Sequence, residues 1–78
     1  PTDIQKENIA YLKDRILINE GKKQLFGTQF YFNKKKKLIP YSISNPKNLD
    51  KRRKEYGLPP FKNFLIMADD YNKKINRV

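Results

Sequence analysis

Seventy-eight residues carrying a formal net charge of +10, with a pI of about 10.0, make one small basic domain at most. The chain has no cysteine and no histidine. That excludes a disulfide staple, thiolate chemistry, a structural zinc site and any self-contained Ser–His or Cys–His nucleophile. Size scaling has such a chain burying only about 63% of its unfolded surface, a regime in which one small core barely offsets conformational entropy.

Thr2, with Gln5 three residues on, reads as a capping box opening a helix. Ile9, Leu12 and Ile16, with Ala10 and Leu17 beside them, recur at helical spacing. Gly21 stands where a glycine closes a helix, so the first helix is expected over about residues 3–20. Two β-rich runs follow, Gln24 to Asn33 and Lys37 to Ile43, joined by a polar turn. Pro40 cannot donate to a ladder, so the second strand is expected at an edge or bulged. Asn45-Pro46 predicts an N-cap and first helical residue, opening a largely solvated basic helix that stops at Gly57. Pro59-Pro60 opens a last helix, with Phe61, Phe64, Leu65 and Ala68 on one face. Residues 76–78 are expected to fray.

The fold class expected is therefore α+β, in the order α-β-β-α-α, with one antiparallel hairpin packed on helices. The first and last helices should cover one face of the hairpin. The core is expected to contain Leu12, Ile16, Phe30, Phe32, Ile39, Phe61, Phe64 and Leu65. No internal repeat or linker is present, so residues 1–78 read as a single domain. No apolar run approaches the roughly 20 residues that span a bilayer, and no signal-peptide core is legible. A cytoplasmic location is the expectation, with a leader lost before Pro1 left open.

The centre of the chain is unusual. Gly21-Lys22-Lys23-Gln24-Leu25-Phe26-Gly27-Thr28-Gln29 places two of the three glycines around a polar island, entered from Asp14-Arg15. Glutamine suits a strand surface poorly unless its amide has something to bind. Gln24, Thr28 and Gln29 are candidate ligand contacts through donor–acceptor pairs, against a role in tying down an irregular strand. Asp14 and Arg15 are candidates for a general base and an anion clamp. The alternative weighed above it is that they fix the backbone near Gly27-Thr28. Arg52 and Arg53 point differently on their helix, and one is expected to turn inward as a bidentate clamp or a structural bridge. Lys34, Lys35, Lys36 and Lys37 form the densest charge run, a candidate contact for phosphates or simply a solvated turn. Phe26, Phe30, Tyr31 and Phe32 read as core before they read as a base-stacking face. No metal site and no cofactor is expected.

The run Asp14-Arg15, Gly21-Lys22, Gln24, Phe26-Gly27-Thr28-Gln29, then Asn45-Pro46, Leu49-Asp50, Arg52-Arg53 and Gly57-Leu58-Pro59-Pro60 resembles the C-terminal half of an uncharacterised bacterial domain family. The resemblance extends from about Ile9 to Leu65. Members of that family carry an N-terminal helical half with a His-containing segment. The resemblance thus implies a half-domain that lacks any chemistry dependent on that histidine.

Three readings follow. The first is a basic binding module for an anionic partner, nucleic acid or another polyanion. The second is the C-terminal half of a small hydrolase or transferase whose remaining site residues lie in a missing N-terminal segment, with Glu20 or Asp50 as second acid to Asp14. The third is a structural half that pairs with an N-terminal half or another chain.

Overall fold

A computed structural model describes residues 3–75. Thr2 of the expected capping box and residues 76–78 lie outside the described residues. Helix α1 (Asp3–Asn19) leads through an irregular segment to strands β1 (Phe30–Phe32) and β2 (Leu38–Pro40). A 3-10 turn (Pro46–Asn48) then runs into α2 (Leu49–Glu55), and α3 (Phe61–Ile75) closes the order. This is the α+β class expected, in the α-β-β-α-α order.

Both glycine-closed helix ends form for the same physical reason. At Gly21 (φ 75°) the Lys22 amide donates to Leu17 O and the Gly21 amide to Ile18 O. At Gly57 (φ 75°) Leu58 N donates to Arg53 O and Gly57 N to Lys54 O. Each pair satisfies the last helical carbonyls while the left-handed residue, which costs glycine nothing, turns the chain back.

The hairpin is shorter than the sequence suggests. Only three residues per strand pair, Phe30 with Pro40, Tyr31 with Ile39 and Phe32 with Leu38. The expected strand from Gln24 is interrupted because Gly27 adopts φ 69° and the chain bends there; Gln24 keeps an isolated parallel bridge to Ile43. Asn45 also departs from expectation. It sits in the left-handed region at φ 48° and its side chain caps nothing, so Pro46 enters a 3-10 turn before α2 begins.

The largest corrections concern packing. Helix α3 packs on β2, whereas among the described residues α1 closely approaches no other helix or strand. It is held through the segment that follows it. Leu12 and Ile16 are 57% and 49% exposed, and Phe32 and Leu65 are also exposed, so none of these is core. Phe30, Ile39, Phe61 and Phe64 are half-buried. The buried apolar residues are instead Ala10, Phe26, Leu49, Leu58 and Ala68. Ala10, Phe26 and Leu58 form one cluster, with Leu25 and Tyr56 against it.

The face of α1 that turns inward carries Ala10, Asp14 and half-buried Leu17, ~130° around the helix from the Ile9-Leu12-Ile16 stripe. Alanine has the small side chain that lets Phe26 and Leu58 approach the helix, and Asp14 fixes which face receives them. Polar side chains complete the frame. Asn72 of α3 donates to Leu38 O (3.2 Å) and accepts from Leu38 N (2.7 Å), holding α3 along β2. Asp50 Oδ1 accepts from Phe61 N (2.9 Å), so α2 supplies the cap that the proline-led start of α3 lacks.

Candidate functional site

The polar island is organised by one carboxylate. Asp14 is wholly buried, and its Oδ1 accepts from Leu25 N (2.8 Å) and Phe26 N (3.1 Å). Its Oδ2 accepts from Thr28 N (3.0 Å) and Thr28 Oγ1 (2.8 Å), with a further contact to Phe26 N at 3.2 Å. A buried carboxylate is expensive unless its lone pairs are filled. Here three amides and a hydroxyl fill them, and in exchange the helix holds four residues of irregular chain.

Gln24 does the same work from the opposite side. It is wholly buried, donating through Nε2 to Gln29 O (3.0 Å) and Tyr41 O (2.9 Å). Its Oε1 accepts from Gln29 N (2.9 Å). Tyr41 N donates directly to Gln29 O (3.1 Å), and the Gln24 amide bridges the other half of that rung, between Gln29 N and Tyr41 O. Gln29, half-buried, donates from Nε2 to Thr28 Oγ1 (3.0 Å).

The two arginines clamp the carbonyl side of the same segment. Arg52, half-buried, donates from Nε to Leu25 O (2.8 Å), from Nη1 to Asn45 O (3.1 Å) and from Nη2 to Ser44 O. Arg53 is 0% exposed; its Nε donates to Pro59 O (2.7 Å) and Nη1 to Phe26 O (2.6 Å). Neighbouring residues of one helix therefore take the carbonyls of neighbouring residues of the loop, Leu25 and Phe26. Arg53 also lies 4.3 Å over the Phe64 ring and 5.5 Å from that of Phe61. Burial pushes the guanidinium below its usual pKa, opposed by the nearby Asp50, Tyr11 and Asp14. Its Nη2 is buried without a hydrogen-bond partner among the described residues.

Gly27 completes the loop. A Cβ added there would meet the Phe61 ring at 2.7 and 2.9 Å, and φ 69° already disfavours any side chain. The space that a side chain would take is filled by that ring.

Asp14, Gln24, Thr28, Gln29, Arg52 and Arg53 are thus brought together, joined by bonds to backbone and to one another. Arg15 stands apart, exposed on α1. Lys34, Lys35 and Lys36 are exposed and Lys37 half-buried at the hairpin tip, and none of them bonds to the island. Asn33 builds that tip: its Oδ1 accepts from Lys35 N and Lys37 N, both at 2.9 Å, while Lys36 takes φ 61°. Asn72 escaped the sequence reading, and Asp50 was read there as a second acid to Asp14 and not as a helix cap; the signals for their observed roles were a polar residue beside an apolar stripe and an acid eleven residues before a proline-led helix start.

An apolar groove of about 360 Å³ lies between α1 and α3, with Tyr11, Phe30, Leu38, Phe64, Met67 and Tyr71 among its walls. No helix among the described residues is long and apolar enough to cross a membrane.

A small α+β domain whose polar centre is spent on its own backbone is the class these features define. The chain belongs to a family of unknown function, DUF6624, whose profile matches residues 2–76. No curated protein matches, and no solved structure does.

Proposed function

We propose that the domain is a basic binding module for an anionic partner. The observation that carries this reading is the hairpin tip: successive exposed lysines on a turn held by Asn33, with no ion pair to any of them among the described residues. Among the described residues as a whole only two ion pairs form, Lys22–Glu20 and Lys73–Asp69, so most of their excess positive charge faces solvent uncompensated. Such a surface releases counterions from a polyanion on binding. Replacing Lys34, Lys35 and Lys36 together with Ser should weaken heparin and oligonucleotide binding and flatten its salt dependence. The log–log slope on a single strand should fall by about 0.7 for each phosphate that the variant no longer neutralises. Fluorescence anisotropy at low salt that detects no binding of wild-type protein to any polyanion would remove this reading.

A second reading, pairing with an N-terminal half or another polypeptide, is supported by the stripe of Ile9, Leu12 and Ile16 (40%, 57% and 49% exposed) on the face of α1 turned away from the rest of the chain. If that face serves a partner, Leu12→Ser leaves the isolated chain within about 0.5 kcal/mol of wild type in chemical denaturation. A loss of about 2 kcal/mol or more, the cost of removing a buried leucine, would instead mean that the chain covers the stripe itself.

A further inference from the structure

The two faces of the hairpin differ in what covers them. Phe30, Phe32 and Leu38 share the α3 side: Phe30 meets the rings of Phe61 (6.3 Å) and Phe64 (6.5 Å), and Phe32 meets Tyr71 (6.0 Å). Strand alternation puts Tyr31, its direct partner Ile39, and Tyr41 on the other side. The open face of a small antiparallel ribbon ordinarily carries polar residues. Here it carries two tyrosines with ring centroids 4.8 Å apart, inclined at 45°, and Tyr31 is 39% exposed.

Positive charge flanks this face at both ends. Beyond Tyr31 the strand runs into the tip bearing Lys34, Lys35 and Lys36. At the Tyr41 end, a cavity of about 400 Å³ is lined by Tyr41, Ser42, Ile18 and Gly21 with Lys22 and Lys23. Among the described residues, only Lys22 of these lysines forms an ion pair, at 3.8 Å to Glu20, with both groups exposed, an arrangement too weak to neutralise it.

We infer that the Tyr31–Tyr41 face is a stacking platform for single-stranded nucleic acid, with the lysines at either end taking the phosphates. This rests on the anionic-partner reading and narrows it. The exposed Tyr31 ring, backed by half-buried Tyr41 and lying between cations, matches unstacked bases on a charged backbone, which is how single strands are held without sequence readout. A duplex hides its base faces, and a base-free polyanion has none to offer. The fold also frees the tyrosines for this, because α3 and the Asp14 and Gln24 bonds fix the hairpin from its other side and its ends.

Anisotropy with labelled 12-nucleotide oligouridylate and oligothymidylate, with a duplex of the same length and with heparin, all at one salt concentration, tests this. Tyr31→Ala should weaken both single strands by about tenfold, the loss of one stacked base, and leave heparin unchanged. Tyr31→Phe should retain wild-type affinity, and wild-type tyrosine emission should fall on adding oligonucleotide. A melting curve for Tyr31→Ala close to wild type separates lost stacking from lost folding. Equal weakening of heparin and single strands, an unchanged single-strand affinity, or a duplex bound as tightly as a single strand overturns the platform while leaving the anionic-partner reading standing. Failure of every probe to bind wild-type protein overturns both.

Discussion

Asp14→Ala should abolish cooperative folding. The substitution leaves the amides of Leu25, Phe26 and Thr28 and the hydroxyl of Thr28 without their acceptor, in a site that water does not reach. Each buried donor left unmade costs about 1–3 kcal/mol, and bonds to a charged acceptor lie at the upper end. Even with partial relaxation the sum rivals the ~5–15 kcal/mol that stabilises an ordinary domain, and a chain of this size sits low in that range. Asp14→Asn is the informative companion. It keeps one acceptor oxygen but turns an amide group, itself a donor, towards the remaining donors. The expected result is a protein that folds only at low temperature or in stabilising osmolyte, against none for alanine. Urea denaturation followed by circular dichroism reads both. An alanine variant within about 1 kcal/mol of wild type would mean that the loop 20–29 is held by something other than this carboxylate.

That result bears on what could be read from the chain. Helix α3 was legible because Phe61, Phe64 and Ala68 repeat at helical spacing and all face inward to some degree. The hairpin was legible from its β-rich runs and polar turn, and Pro40 does lie on a strand with only one ladder neighbour. The buried face of α1 was not. Hydrophobic periodicity marks the widest apolar stripe, and on α1 that stripe is Ile9-Leu12-Ile16, which the chain leaves outside. What decides the inward face is the reach of Asp14 to amides eleven to fourteen residues on, a directional interaction to which periodicity is blind. The same limit applies to Arg53. A basic run on a helix reads as solvated, and nothing in four consecutive cations says which one meets two carbonyls and an aromatic ring. Gln24 and Gln29 were conspicuous as misplaced amides, but whether they meet a ligand or a backbone depends on where residue 41 returns, a tertiary fact. The split of Tyr31 from Phe30 and Phe32 follows from strand alternation once α3 is placed on one side, and not before.

Arg53→Ala should cost about 3–5 kcal/mol, the range seen when one partner of a buried charged network is removed. Phe26 O and Pro59 O lose their donors, the guanidinium no longer lies over Phe64, and the volume of a wholly buried side chain is left empty beside that ring. Two further variants apportion that loss. Arg53→Lys keeps the charge, but one ammonium group replaces a planar fork that bonds two carbonyls on different loops, so only part of the stability should return. Arg53→Met keeps most of the volume and removes the buried charge together with the unpaired Nη2. Desolvation already works against this guanidinium, lowering its pKa, so relieving it offsets some of what the two lost bonds cost. Methionine should therefore be less damaging than alanine, by about 1–2 kcal/mol. By contrast Arg52, half-buried and bonded to Leu25, Ser44 and Asn45 carbonyls that water can reach in part, should lose only about 1–2 kcal/mol on truncation to alanine. The ordering Arg52→Ala milder than Arg53→Met, and Arg53→Met milder than Arg53→Ala, is the quantity to measure, by urea midpoints at constant slope. If Arg53→Met proves the worst of the three, the charge itself holds the loop, and the two carbonyl bonds are secondary to its attraction to Asp14 and Asp50.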